Sequence, residues 1–253
     1  MKVVILAGGL GTRLSEETYL KPKPMVEIGD MPIIYHIMKH YMKFGFYDFV
    51  ILAGYKHEII KDYFAKFVLI NNDIQIDTKK NKISILNKKK ENFKITILNT
   101  GQNTLTGGRL LRAKKILQKE KLFLMTYGDG LSNVDLKKLI ATHKKNKKIA
   151  TLTAVSPKSK FGDLILDDTR VTKFSEKSSN DRWVNAGFFA FTSKIFNYLK
   201  NDQTILEADA LAELSKENLL GYYKHKGFWQ PMDTLNDKNL LNKLWENNTA
   251  PWV

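Results

Sequence analysis

Apolar and polar positions follow two different periods through the first half of the chain. Residues 3–7 and 49–53 are apolar throughout, which is typical of strands buried on both faces of a sheet. Residues 31–44 instead repeat apolar side chains at helical spacing and stop at Gly45, and a second helix is predicted over residues 58–67. Strands that alternate with helices in this way predict an α/β fold, with a mixed, mainly parallel sheet flanked by helices.

Between residues 72 and 99 the apolar positions change to a period of two. Short alternating runs at 74–77, 83–86 and 93–98 are predicted as strands, with a polar turn at 79–82 between the first two. The segment belongs to no strand–helix unit, so we interpret it as a β-hairpin insert that is apolar on one side. It serves either as a contact between subunits of an oligomer or as a flap over the sheet, and the sequence does not separate the two.

The second half of the chain predicts further strands and helices with no linker between them. A helix is predicted over residues 105–119 and an apolar strand over 122–127, which ends in Gly128-Asp129-Gly130. Shorter strands predict a mixed edge of the sheet, at residues 150–155, 163–166, 171–176 and 184–191. Helices are predicted over residues 193–199, 207–215 and 235–246. Because no Pro/Gly/Ser-rich tract or repeat divides the chain, we predict one domain over residues 1–253.

Composition limits the class of protein and the kinds of site it can hold. The 253 residues are 43% hydrophobic, as in an ordinary globular protein, and no cysteine is present for disulfides, thiolate metal sites or nucleophilic catalysis. His36 and His40 stand four apart, but the glutamate of a His-Glu-x-x-His zinc site is missing, so both are interpreted as ordinary helix residues. No apolar run approaches the roughly 20 residues that span a membrane, and no signal peptide is recognisable, so a cytoplasmic protein is expected.

The strongly basic net charge suggests nucleic acid as a partner, but the type of basic residue argues against it. The formal net charge is +15, but only five of the 41 basic residues are arginine, the side chain that recognition of phosphates and bases favours. The lysines are scattered, which is typical of a solvated surface that also attracts anionic nucleotides. We therefore expect neither nucleic acid nor a membrane as partner. A nucleotide-binding regulatory protein or a nucleic-acid-binding protein is the rival hypothesis, and charge alone supports it.

A glycine-rich loop follows the first strand directly and is the strongest chemical signal in the chain. Gly8-Gly9-Leu10-Gly11-Thr12-Arg13 lets backbone N–H groups approach an anion closely, and Arg13 and Lys23 add full charges. The pattern predicts a phosphate cradle for a nucleoside triphosphate, with a plain tight turn as the alternative. Leu14 stands where a dinucleotide loop has its third glycine, and no Gly-Lys-Ser or Gly-Lys-Thr occurs, so neither an NAD loop nor a Walker loop fits.

Further motifs follow along the chain and together resemble one family. They are the LAGGLGTRLSEETYLKPKPMVEIG segment, TGGRL with the preceding Thr100-Gly101, TYGDG, Glu176-Lys177 with Asn185-Ala186-Gly187, and GFWQPMDTLNDK, followed by the Ala250-Pro251-Trp252 tail. Any one of them alone is weak. Their order over nearly the whole chain is similar to the sugar-1-phosphate nucleotidyltransferases, and SEETYLKPKPMVEIG, TYGDG and FWQPMDTL are similar to the branch that uses CTP.

The resemblance implies a reaction, a cofactor and a mode of assembly. It implies a Rossmann-like α/β fold, CTP and α-D-glucose 1-phosphate as substrates, CDP-glucose and pyrophosphate as products, Mg²⁺ as cofactor, and a homo-oligomer. It also implies a place in the synthesis of lipopolysaccharide or O-antigen sugars. A nucleotidyltransferase of the same fold that uses another nucleotide or another phosphorylated substrate is the nearest alternative.

Carried over by position, the resemblance gives a role to individual residues. Arg13, Lys23 and Asp129 are expected to be catalytic, and Asp129 and Asp233 to bind the metal. Glu176, Lys177 and Asn185 are expected to hold the sugar phosphate. The nucleotide-binding residues are expected to be Leu6, Ala7, Gly8, Gly9, Leu10, Gly11, Thr12, Arg13, Lys23, Thr104, Arg109 and Gly128. The chain has Ser178 and Ala186 where the family pattern has proline and glycine, and Ser178 predicts a more mobile loop at the sugar site.

Overall fold

A seven-stranded sheet with helices on both faces forms the centre of the computed structural model. The structure describes residues 1–87, 91–157, 163–167, 170–175 and 182–253, with 163–167 and 170–175 described as backbone strands only. The strands are β1 Lys2–Ala7, β2 Glu27–Ile28, β3 Met31–Pro32, β4 Asp48–Ala53, β5 Asp73–Asp77, β6 Lys82–Leu86, β7 Lys94–Asn99, β8 Phe123–Tyr127, β9 Gly130–Ser132, β10 Ala150–Val155, β11 Asp163–Asp167, β12 Arg170–Ser175, β13 Val184–Phe191, β14 Leu220–His225 and β15 Trp229–Pro231.

Helices connect most of these strands, and none in the described part of the chain is long and apolar enough to cross a membrane. The α-helices are α1 Ser15–Thr18, α2 Ile33–Lys43, α3 His57–Ile70, α4 Thr106–Arg112, α5 Lys114–Leu117, α6 Leu136–Asn146, α7 Ala212–Lys216 and α8 Leu235–Glu246. Shorter 3₁₀ turns cover Thr12–Leu14, Lys23–Met25 and Ser193–Tyr198, and a π-helical turn covers Leu206–Leu211.

The order of the strands in the central sheet is β14-β10-β13-β8-β1-β4-β7. Every neighbouring pair is parallel except the two pairs that involve β13, which runs antiparallel to both β10 and β8. The predicted α/β class, a mixed and mainly parallel sheet flanked by helices, is therefore confirmed. Parallel strands need long crossovers, and the helices that form these crossovers cover both faces of the sheet.

Alternate side chains of the central strands enter two separate cores. In β1, Val3 and Ile5 pack with α2 on one face, whereas Val4 and Leu6 pack with α4 and α5 on the other. All four are buried. Burial on both faces explains why β1 and β4 are apolar without interruption, whereas the helices need an apolar stripe on one side only.

Several predictions differ from the structure. The strands predicted at 163–166 and 171–176 form β11 and β12, which pair with each other in a separate two-stranded sheet and not at the edge of the central sheet. The strand predicted at 93–98 is not part of the hairpin: it is β7, which pairs parallel with β4 in the central sheet, so the hairpin consists of β5 and β6 alone. Ile95 and Ile97 pack on one core and Leu98 on the other, which requires a place in the main sheet. The helix predicted over 105–119 is broken at Ala113, whose ψ of 0° departs from helical geometry and divides α4 from α5.

The C-terminal segment fastens α8 against α2. Trp252 is 2% exposed, its indole N–H donates to Nδ1 of His36 at 3.3 Å, and its carbonyl accepts from Lys43 at 3.1 Å. At the other end of α8, Thr234 and Asp237 form a capping box. The start of this helix, and with it the adjacent Asp233, is therefore fixed by both local capping and distant packing.

Buried histidines predict that stability falls as the pH is lowered. Burial lowers the pKa of His40 from 6.5 to about 4, and its Nε2 lies 2.9 Å from the carbonyl oxygen of Val134. Burial lowers the pKa of His36, His143 and His225 as well. In the unfolded chain His40 binds a proton near pH 6.5, whereas in the folded protein it stays neutral at that pH. The contribution of His40 to the free energy of unfolding is therefore complete above pH 6.5. It is lost as the pH falls toward 4, by about 3 kcal/mol.

Urea unfolding between about pH 7 and pH 4 measures this loss. The variant His40→Gln keeps an N–H donor near the Val134 carbonyl but does not titrate, so its free energy of unfolding should fall less steeply over this range. Parallel pH profiles for the variant and the unchanged protein would contradict the assignment to His40.

Candidate active site

A cavity of about 900 Å³ lies where β1 and β8 end, at the carboxyl edge of the parallel strands. In open α/β sheets this edge is where ligands bind. The predicted site residues that line the cavity are Leu6, Ala7, Gly8, Gly9, Leu10, Gly11, Thr12, Arg13, Lys23, Thr104, Arg109, Gly128, Asp129, Asn185 and Asp233. Glu176 and Lys177 lie outside the described residues, and so does Ser178 with the prediction of a mobile loop.

The glycine loop forms one wall of this cavity. Gly11 has a φ of 69°, a left-handed conformation that glycine adopts without strain, and the chain then turns into the 3₁₀ segment Thr12–Leu14. A side chain at Gly11 would also meet Cγ2 of Thr18 at 2.7 Å. Gly9 and Leu10 are exposed and line the cavity, so the loop presents backbone as well as the Arg13 side chain to a ligand.

Two aspartates and two cations meet at the centre of the cavity. Nζ of Lys23 lies 2.7 Å from Oδ2 of Asp129 and 2.7 Å from Oδ1 of Asp233, and the second oxygen of Asp233 accepts from Arg13 at 2.7 Å. The Lys23 side chain is only 8% exposed, whereas both carboxylates are partly open to the cavity. The unit charges of the four side chains cancel.

Neighbouring strands bring the two aspartates together although 104 positions separate them in the sequence. Asp129 lies between β8 and β9, and Asp233 lies between β15 and α8. β9 and β15 pair antiparallel with Gly130 opposite Pro231, and the backbone N–H of Met232 donates to the carbonyl of Asp129 at 2.8 Å. The two carboxylates are thus held side by side by backbone hydrogen bonds and the packing of α8.

The same carboxylates have the chemistry of a Mg²⁺ site. One oxygen of each aspartate already approaches a single cation, the Lys23 ammonium, at hydrogen-bond distance. Among the described residues no cluster of three or more histidines, aspartates and glutamates is found. A magnesium ion here would therefore be held by few protein oxygens, which is its usual mode of binding. Asp129 and Asp233 fit such an ion.

Arg109 connects loops of the cavity wall through hydrogen bonds. Its NH1 donates to Oγ1 of Thr100 and the carbonyl of Gly101, both at 2.7 Å, and its NH2 donates to the carbonyls of Gly8 and Gln102 at 2.9 and 3.1 Å. The residue is 5% exposed. Most of its donors are thus bound to protein atoms, which ties the loop after β1 to the loop after β7. A direct contact of Arg109 with a nucleotide stays a prediction.

The cavity also contains residues that sequence reasoning did not single out. Tyr127 and Glu207 line it, as do Gln102 and Asn103. The TYGDG motif placed Tyr127 two residues from Asp129 and could have indicated it. Glu207 had no such signal, because the sequence around it contains no glycine, proline or repeated motif and was predicted only as the start of the helix over 207–215.

Comparisons with known proteins find similarity to nucleotide-using enzymes along the whole chain. The family described as nucleotidyl transferase matches residues 2–237. A Salmonella typhi chain named glucose-1-phosphate cytidylyltransferase is 46% identical over 253 residues, covering 100% of this chain and 98% of the relative. A chain of Bacillus subtilis strain 168, named "probable glucose-1-phosphate cytidylyltransferase", is 44% identical over 255 residues, covering 100% and 99%.

Solved structures agree with the fold. The UDP-glucose pyrophosphorylase of Acinetobacter baumannii superposes with a TM-score of 0.71 at 18% identity, over 99% of this chain and 95% of that one. At this identity the likeness shows the fold alone, which is the Rossmann-like α/β architecture implied by the resemblance.

The packing of Arg109 predicts that alanine at Gly8 is destabilising. A Cβ at Gly8 would lie 2.2 Å from NH1 and 2.3 Å from Cζ of Arg109, so the guanidinium would have to leave its acceptors. We expect Gly8→Ala to lower the free energy of unfolding by about 1–3 kcal/mol. Gly9→Ala is the matched control, because a Cβ there meets nothing within 4 Å. In a double-mutant cycle with Arg109→Ala, the destabilisation caused by Gly8→Ala should largely disappear. Additive free energies of unfolding would contradict the contact between Gly8 and the Arg109 guanidinium.

Proposed function

The chain belongs to the nucleotidyl transferase family, and from this premise we propose that it transfers the cytidylyl group of CTP to α-D-glucose 1-phosphate. The products are CDP-glucose and pyrophosphate. The observation that carries the proposal is the cluster of Lys23, Asp129 and Asp233 beside a glycine loop in one cavity. The names of the relatives from Salmonella typhi and Bacillus subtilis support the choice of CTP and glucose 1-phosphate.

The proposed reaction needs positioning and charge more than it needs a base. A phosphate oxygen of glucose 1-phosphate attacks the α-phosphorus of CTP and forms a new P–O bond. The bond from the α-phosphorus to the bridging oxygen of the β-phosphate breaks, and pyrophosphate leaves with that electron pair. Because the attacking oxygen is already anionic, no general base or covalent intermediate is required. The barrier lies in bringing two anions together, which orientation and cations lower.

The residues of the cavity divide this work. The glycine loop surrounds the nucleotide phosphates, and Arg13 stands at its end with its guanidinium toward Asp233. Lys23 lines the cavity beside the loop, so its ammonium can exchange a carboxylate oxygen for a phosphate oxygen. Asn185 is an amide donor at the β13 side, where the sugar phosphate is proposed to bind. Arg109 holds the loops around the nucleotide in place through their carbonyls.

Magnesium is part of the proposal, with Asp129 and Asp233 as its protein ligands. When bound, Mg²⁺ supplies positive charge to the phosphate oxygens on which negative charge accumulates. We further propose a cytoplasmic location, because CTP is an intracellular metabolite. The place of the product in the synthesis of lipopolysaccharide or O-antigen sugars stays a prediction.

Pyrophosphate release tests the proposal directly. With CTP, glucose 1-phosphate and Mg²⁺ the protein should release pyrophosphate and form CDP-glucose, and a chelator should abolish the reaction. UTP and other nucleotides, and galactose 1-phosphate and mannose 1-phosphate, should be used less well. Faster turnover with another nucleotide or another sugar phosphate would favour the alternative within the family. The absence of turnover with the whole panel would favour a nucleotide-binding protein without this activity.

Asp129→Asn and Asp233→Asn are the matched variants in this assay. An amide keeps the shape of each side chain but holds Mg²⁺ far less well, so we expect turnover to fall about a hundredfold or more while the fold is retained. Near-normal turnover of both variants at saturating Mg²⁺ would remove them from the metal site.

A homo-oligomer is also proposed, with the β5–β6 hairpin as the contact. Ile74 stands opposite Ile85 and Ile76 opposite Ile83, so four isoleucines share one face, and they are between 38% and 62% exposed. None of the four is among the buried core residues of the described chain, which favours a contact with a second copy over a flap. Light scattering should show an oligomer. Ile76→Lys should shift it toward the monomer, whereas Lys82→Glu at the same hairpin should not, and an unchanged oligomer in the isoleucine variant would contradict the contact.

A further inference from the structure

Glu207 is a carboxylate in the cavity to which the proposed chemistry gives no role. It lies on the π-helical turn Leu206–Leu211 and lines the same cavity as Lys23 and Asp129. Turns of this kind occur often at functional sites. Both proposed substrates are phosphate anions, and a carboxylate repels a phosphate. The parts of the two substrates that can donate a hydrogen bond to Glu207 are therefore their hydroxyl groups and the exocyclic amino group of cytosine, and the position of Glu207 in the fold distinguishes between them.

Two hydroxyl groups hold the Glu207 carboxylate in a fixed orientation. The Tyr127 hydroxyl donates to Oε1, and Oγ1 of Thr106 donates to Oε2 at 2.7 Å. Oγ1 of Thr106 also accepts from the backbone N–H of Leu206 at 2.9 Å, so the start of the π-helical turn is tied to the start of α4. Each carboxylate oxygen can accept a second hydrogen bond, which leaves capacity for a ligand.

Tyr127 places Glu207 on the β8–β13 side of the cavity. Tyr127 is the last residue of β8, and its ring packs on Gly187 of β13, where an added Cβ would lie 2.3 Å from the ring. The amide of Asn185 lies 3.4 Å from the Tyr127 hydroxyl, and the Asn185 oxygen accepts from the backbone N–H of Gly187 at 2.9 Å. In the central sheet β13 lies on the far side of β8 from β1 and β7, the strands whose following loops Arg109 ties together.

We propose that Glu207 is a specificity-determining residue that accepts a hydrogen bond from a hydroxyl of the acceptor sugar, with Tyr127 as its positioning residue. This inference rests on the proposed function, because the acceptor is taken to be a hexose 1-phosphate. Burial and the neighbouring Glu207 carboxylate raise the pKa of Tyr127, so its hydroxyl remains a donor. Because the carboxylate is fixed, it accepts a hydrogen bond only from a hydroxyl in one position. It therefore discriminates between sugars that differ in the configuration of one hydroxyl.

Kinetics of Glu207→Gln and Glu207→Ala test the inference. Loss of one hydrogen bond to a charged group should lower kcat/KM for glucose 1-phosphate about 10- to 100-fold and leave the KM for CTP within about twofold. Preference for glucose 1-phosphate over its galactose and mannose counterparts should fall. Glu213→Gln, an exposed carboxylate on α7, is the matched control and should change neither. Tyr127→Phe should shift sugar preference in the same direction, because Glu207 loses its support.

Three outcomes would overturn the inference. A lower kcat with unchanged sugar preference would make Glu207 a purely structural residue. A raised KM for CTP that is absent with dCTP would assign the carboxylate to the ribose. Unchanged kinetics in both Glu207 variants would leave it no role in binding.

A binding measurement separates this inference from the proposed function. Calorimetry gives the ratio of the Kd values of CDP and CDP-glucose without any turnover. Glu207→Ala should reduce the advantage of CDP-glucose and leave the Kd of CDP unchanged, whereas an unchanged ratio would overturn the inference. If the unchanged protein prefers another sugar nucleotide, the proposed acceptor is wrong, and the same ratio measured for that ligand decides the role of Glu207.

Discussion

The ion pairs of Lys23 with Asp129 and Asp233 are the contacts on which the cavity depends. They join the segment after the glycine loop to the ends of β8 and β15, three parts of the chain that lie far apart in sequence. A lysine that is 8% exposed pays a large desolvation cost unless its partners are close and well oriented. The pairing of β9 with β15 and the capping of α8 supply that orientation. The chemistry of the site is therefore inseparable from the packing of the C-terminal third of the chain.

Arg109 has the corresponding role at the loops after β1 and β7, with mostly backbone carbonyls instead of carboxylates as its partners. Glycine at positions 8 and 54 lets the guanidinium lie against the backbone, since a Cβ at either would stand within 2.3 Å of NH1. Loops are ordinarily the most variable part of an α/β fold. Here one buried side chain joins the loops after β1 and β7, so two parts of the wall around the proposed nucleotide are held together by protein contacts alone.

The sequence predicted elements whose residue pattern is local, and it failed for features that depend on residues far apart in the chain. β1 and β4 were predictable because burial on both faces leaves an uninterrupted apolar run. β7 was assigned to the hairpin because its alternation resembles that of β5 and β6. It is instead an edge strand of the central sheet, and the residues of β4 that pair with it lie 46 positions earlier in the sequence. α6 was missed because lysines surround its narrow apolar stripe of Leu136 and Leu139. Motifs indicated Asp129 and Asp233, but no local pattern could show that Lys23 bridges them or that Glu207 enters the cavity.

The balance of charge in the cluster explains how two carboxylates can stand in a cavity proposed for anions. Without ligands, Lys23 and Arg13 neutralise Asp129 and Asp233, so this cluster of four side chains carries no net charge. A polyphosphate that draws Lys23 or Arg13 toward itself leaves the aspartates uncompensated, and repulsion between carboxylate and phosphate then opposes binding. If Asp129 and Asp233 held a divalent cation, this opposition would be removed and both Lys23 and Arg13 would be free for the phosphates. Binding of the metal and of the nucleotide is therefore expected to be mutually reinforcing, because each supplies the charge that the other requires.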